Sequence, residues 1–98
     1  MLVKVHESYR KIIAVCDEEL LGKKFIEGKL QLDVKESFYN GESMNEDDLV
    51  LLLQEADKDD ASFNFVGEKS IKAGIKAKVI NKKGVIKVRG IPHALGLL

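Results

Sequence analysis

A chain of 98 residues that is 45% hydrophobic and 33% charged has the composition of a folded globular protein. Its length leaves room for one core, because two would each bury too little apolar surface. The formal net charge of zero conceals a polarity: residues 1–60 carry fifteen acids against eight bases, whereas residues 61–98 carry Glu68 alone against Lys69, Lys72, Lys76, Lys78, Lys82, Lys83, Lys87 and Arg89.

The longest apolar runs, LVLLL at 49–53 and KIIAVC at 11–16, fall well short of the roughly 20 residues that span a bilayer. The opening MLVKVHESYR has neither the apolar stretch nor the cleavage site of a secretory signal. The reading is therefore a single cytoplasmic domain, 1–98, with no membrane partner. A lone cysteine, Cys16, forms no intrachain disulfide and agrees with a reducing compartment.

In chain order, residues 2–7 and 10–16 are β-branched around Ser8 and Tyr9, which predicts an antiparallel hairpin. In the second arm both Ile13 with Val15 and Ile12 with Ala14 and Cys16 are apolar, so this strand is expected to be central and buried on both faces. Asp17 then reads as the N-cap of a short helix, DEELLGKKF, with Gly22 as its stop. KFIEGKLQLDV, 24–34, alternates as one half-exposed strand, and SFYNG reads as a turn. NEDDLVLLLQEAD, 45–57, is the clearest helix: Asn45 caps it, three acids follow, and Leu49, Leu52, Leu53 and Ala56 share a face. SFNFVG at 62–67 predicts a strand, EKSIKAGIKAKVI at 68–80 a helix, NKKG a turn, and VIKVRGI a last strand running into Pro92.

This order predicts an α+β fold, with a mixed β-sheet, an N-terminal hairpin and about three helices packed mainly on one face. Charge at both ends of the sequence then belongs to one small body with a dipolar surface.

Among chemical constellations, metal binding is disfavoured. His6, Cys16 and His93 have no ligand partners at zinc-site spacing, and NEDD and DKDD do not follow the calcium-loop pattern. No cofactor motif stands out. Gly67 between a strand and a helix offers backbone N–H groups to an anion, but the longer phosphate-loop pattern is absent. Cys16 before a helix start could be activated, although a buried cysteine is usually inert packing. RGIPHA, 89–94, sets His93 beside Arg89 on a chain stiffened by Pro92; its plain reading is a chain end folded against the sheet with Ile91 in the core. Lys69, Lys72 and Lys76 recur at helical spacing as a cationic ridge, continued by Lys82, Lys83, Lys87 and Arg89. Such a run calls for nearby phosphates or for the protein's own acids. The aromatics form no stacking platform there, so structured RNA read by phosphates and shape suits it better than single strands.

Three stretches read together, VKVHESYRKIIAVCDEELLGKKF, FYNGE with its following acidic leucine helix, and VGEKSIKAGI with GVIKVRGIPHA, resemble a small archaeal family catalogued as a domain of unknown function, number 424. The resemblance covers essentially the whole chain. It implies a stand-alone archaeal cytoplasmic α/β protein associated with translation or RNA, and no established reaction. Positions matching the family pattern are His6, Glu7, Tyr39, Gly41, Gly67, Glu68, Gly90, Pro92 and His93, as a candidate shared surface. The leading expectation is thus a non-enzymatic factor contacting RNA or the ribosome through Lys69, Lys72, Lys76, Lys82, Lys83, Lys87 and Arg89. Two alternatives stand beside it: a small enzyme gathering His6, Cys16 and His93 in a cleft, and a homo-oligomer in which acidic and basic faces meet.

Overall fold

The computed structural model describes residues 1–96. Its organising element is the strand β2 (Ile12–Cys16), buried from Ile13 onward. β1 (Leu2–His6) pairs antiparallel with it, Val3 opposite Val15 and His6 opposite Ile12. On its other side β2 runs parallel to β6 (Ser62–Val66). A parallel neighbour needs a long crossover, and the chain between Asp17 and Ala61 supplies it.

Along that crossover lie β3 (Lys24–Glu27), β4 (Leu30–Asp33), the single helical turn α1 (Glu36–Tyr39), the two-residue β5 (Glu42–Ser43) and α2 (Glu46–Lys58). After β6 come α3 (Glu68–Lys76), β7 (Ile86–Val88) and β8 (Ile91–Gly96). The six-stranded sheet has the order β5-β1-β2-β6-β8-β7, and β3 and β4 form a separate ribbon. With one parallel pair among antiparallel ones the sheet is mixed, and the fold is α+β as the element order predicts.

The pleat of β2 divides the core in two. Ile13 and Val15 point toward α2 and α3, joining Phe63, Phe65, Leu49, Leu53 and Ile71. Ala14 and Cys16 point the other way and meet Leu20, Leu32, Val34, Tyr39 and Val88. The two long helices therefore share one face, while the β3–β4 ribbon and α1 cover the other. Leu49 and Leu53 are fully buried; each side chain removed from water stabilises the fold by about 1.5–3 kcal/mol. The cap read from the sequence is present: the Asp48 N–H donates to Asn45 Oδ1 at 2.9 Å. No helix among the described residues is long and apolar enough to cross a membrane.

Several local expectations are corrected. The short helix expected between Asp17 and its stop at Gly22 shrinks to a 3-10 turn, Glu18–Leu20, and Asp17 makes no side-chain cap to it; its carboxylate is used elsewhere. The single strand expected at 24–34 is a hairpin reversed at Gly28, φ +60°, because folding back brings Phe25 opposite Leu32 and lets the ribbon cover the sheet. SFYNG is not only a turn, since α1 uses Phe38 and Tyr39 to close the second cluster. α3 ends at Lys76 rather than residue 80: Lys78 turns left-handed, φ 64°, and the Lys78 and Val79 N–H groups donate back to Ile75 and Gly74. The last strand, expected to end near Pro92, is two strands, reversed at Arg89 and Gly90, whose φ values of 54° and 79° give the tight turn whose twist suits a hairpin.

Candidate functional site

The best-defined polar arrangement lies where β6 enters α3. Gly67 holds φ +106°, and a Cβ there would overlap the Asp17 carboxylate. Asp17, 4% exposed, fills that space. One carboxylate oxygen accepts from the Ser70 N–H at 2.8 Å and the Ser70 hydroxyl at 2.7 Å; the other accepts from the Lys69 N–H at 3.1 Å. The anion that the Gly67 geometry invites is thus the protein's own side chain, delivered from the end of β2 to the positive end of the α3 dipole. Sequence reasoning found the receptor half of this pair and assigned Asp17 to the wrong helix.

Farther along α3, Ile71 and Ile75 lie beside Val85 and Pro92 to form the floor of an open groove of about 550 Å³. Lys72, Lys82 and Lys87 stand on its rim, and Glu68 marks the α3 N-terminal end. This juxtaposition depends on the turn at Arg89 and Gly90, which puts Lys87 opposite Pro92 on the same face of the sheet. Among the described residues none of the three rim lysines has a carboxylate within 4.0 Å.

The seven candidate cations therefore separate into groups. Lys72, Lys82 and Lys87 gather at the groove. Lys76 is tied to α2, its Nζ 3.0 Å from Glu46 Oε1. That contact holds the Glu46 carboxyl below its usual range and raises the Lys76 ammonium above its own. Lys69 borders clefts shared with Asp17 and Glu19. Its charge also helps to lower Glu18, which is held mainly by the Ser43 hydroxyl and then by the N-terminal ammonium. Lys83 is exposed on the 3-10 turn Lys82–Gly84, whose Asn81 Oδ1 accepts from the Lys83 N–H. Arg89 sits in the β7–β8 turn, its backbone N–H donating to Glu27 Oε1 at 2.6 Å. Part of the basic tail is thus counter-charge to the acidic half, and part is unmatched.

The family-pattern positions are likewise divided. Gly67, Glu68, Gly90 and Pro92 line one small cleft around the α3 entrance, where the Gly67 N–H donates to the Pro92 carbonyl at 2.9 Å. Gly41 lies against the β1 backbone at Val3, where any side chain would collide. His6 stacks on Phe38, ring centroids 4.6 Å apart, and its Nε2–H donates to the Phe38 carbonyl at 2.8 Å. Glu7 is exposed near Lys11, and Tyr39 is buried, its phenol pushed up to about 12 by loss of solvent. His93 Nδ1–H donates to the Phe65 carbonyl at 3.0 Å.

The structure does not bring His6, Cys16 and His93 together. His6 and Cys16 occupy opposite ends of the β1–β2 hairpin, and Val66 stands between Cys16 and His93 across the sheet. Each imidazole spends a nitrogen on a backbone carbonyl. Burial, and next the Asp17 charge, push the Cys16 thiol up to about 11, the opposite of what a nucleophile needs. Among the described residues no group of three or more His, Cys, Asp or Glu side chains is placed to hold a metal ion.

A family model described as a protein of unknown function (DUF424) matches residues 5–97. The chain is also similar to a solved structure, that of an uncharacterized conserved protein from Methanopyrus kandleri, at 26% identity and a TM-score of 0.85, over 96% of this chain and 87% of that one. No curated protein matches.

Proposed function

Because the chain belongs to the family described as a protein of unknown function (DUF424), we propose a function from the groove itself: a non-enzymatic RNA-associated factor of the translation apparatus. Lys72, Lys82 and Lys87 hold phosphates, with Lys83 and Arg89 extending the contact along the backbone. The observation that carries this reading is the convergence of three cations from α3, the 3-10 turn and β7 on one groove with no carboxylate partner among the described residues. Like charges so placed repel one another until an anion arrives. Lys69 and Lys76 contribute less, because each already faces the protein's own acids. The family resemblance extends the proposal to an archaeal, cytoplasmic setting.

Co-sedimentation of the tagged protein with ribosomal subunits across a salt series tests it. Association at low salt that fades as salt rises, and is lost when Lys72, Lys82 and Lys87 become glutamine, is the expected result. Absence of association at low salt defeats the proposal.

A further inference from the structure

The acidic helix has a second face that the fold leaves unused. On α2, Leu49 and Leu53 are buried, and Leu51, two residues from each and so on the opposite side of the helix, is 61% exposed. No other large aliphatic side chain in the described residues is as exposed. Positions three and four residues away on a helix are its surface neighbours. For Leu51 these are Asp47, Asp48, Gln54 and Glu55, all exposed. Three carboxylates and an amide thus ring one apolar anchor.

The groove on α3 is the inverse of this ridge: an apolar floor ringed by three ammonium groups. We infer that α2 of a second copy docks its Leu51 ridge into the α3–β7 groove, Leu51 on Ile75 and Pro92, with Asp47, Asp48 and Glu55 meeting Lys72, Lys82 and Lys87. An amphipathic helix in a groove is a common recognition mode, apolar anchor at the centre and charges at the rim. The two surfaces cannot meet within one chain, because α2 is already packed beside α3 through its buried face, with Glu46 tied to Lys76. Direction follows from the remaining charges: Lys58, at the C-terminal end of the ridge, faces Glu68 at the end of the groove. The contact joins two different surfaces, so two copies can exchange it reciprocally about a two-fold axis, or each copy can pass it on to the next. It needs no RNA; a second copy seated in the groove and an RNA backbone compete for the same three lysines.

Sedimentation velocity on the full, nucleic-acid-free chain tests it with two surface variants. Leu51→Lys disables the ridge and keeps the groove; the triple variant K72Q, K82Q and K87Q disables the groove and keeps the ridge. The wild type is expected to self-associate at low salt, as a reciprocal dimer or as larger species, and to dissociate at about 0.5 M salt, where the screening length is only a few ångströms. Each variant alone is expected to be monomeric, and an equimolar mixture is expected to give a one-to-one dimer and nothing larger. The mixture still holds one intact ridge and one intact groove. A monomeric wild type at low salt overturns the inference, as do two monomeric variants that fail to complement each other. Binding of an RNA oligonucleotide by a wild type that stays monomeric assigns the rim lysines to phosphates alone and equally overturns it.

Discussion

The Asp17 carboxylate accepts both the backbone N–H and the hydroxyl of Ser70, 53 residues later in the chain. Through this pair the end of β2 caps α3, and the geometry of α3 in turn sets where its lysines stand. Both side chains are buried and every buried polar side-chain atom among the described residues has a partner. Removing one member leaves the other unsatisfied at a cost of about 1–3 kcal/mol.

Gly67→Ala is expected to be among the most damaging small substitutions. The new methyl collides with Asp17, and φ +106° strains any side chain. A loss of about 2–4 kcal/mol in urea unfolding is expected. Gly90→Ala has a left-handed φ but open space around it, and should cost only about 1 kcal/mol. Equal losses at the two positions would remove the Asp17 contact as the cause.

Cys16 should be silent toward thiol reagents in the native state at neutral pH and react fully once the chain is unfolded. Its thiol titrates at about 11 in the fold against an ordinary value of 9.0. The fold favours the neutral form, so this contribution is fully present below pH 9 and is lost as pH rises toward 11. Denaturant midpoints should fall across that window by an amount equivalent to about 2–3 kcal/mol. Tyr39, raised from 10.0 to about 12, continues the decline at higher pH. Fast labelling of native Cys16 at pH 7 would contradict this account.

The Glu46–Lys76 tie has the opposite acid dependence. The Glu46 carboxyl is held below its usual value of 4.5, so its contribution is present above that value and disappears as pH falls through the lowered one. Lys76 is exposed and Glu46 half-buried, so solvent screens the pair. Glu46→Gln is expected to lower the melting temperature slightly at low salt and not at all at high salt. A large, salt-independent drop would show that Glu46 does more than pair with Lys76.

If RNA occupies the groove as proposed, the salt dependence of its affinity measures how many phosphates are neutralised. Each contact contributes about 0.7–0.9 to the slope of log affinity against log salt. Changing Lys72, Lys82 and Lys87 together to glutamine should flatten that slope by about two units, whereas Lys76→Gln should leave it nearly unchanged because Lys76 is engaged with Glu46. A slope indifferent to the triple change would remove RNA phosphates from the groove.

What the sequence alone determined is what a few neighbouring residues can settle among themselves. Five apolar residues in a row at 12–16 require a strand with no free face, and β2 is that strand. Asn45 followed by three acids and an apolar stripe requires a helix start there, and the Asn45 cap is formed. Charge polarity was also legible, since it depends on composition. The remaining features depend on groups far apart in the chain, which meet only in the folded molecule. Asp17 has the right chemistry to cap the turn that follows it, yet the buried N–H of Ser70 and the part-buried N–H of Lys69 claim its carboxylate instead. Alternation over 24–34 cannot reveal a reversal at Gly28, because both arms of a hairpin keep the period of a single strand. The groove is a product of the same kind: Lys72, Lys82 and Lys87 become neighbours only because β7 turns back on β8 at Arg89, a residue whose left-handed conformation no local preference announces.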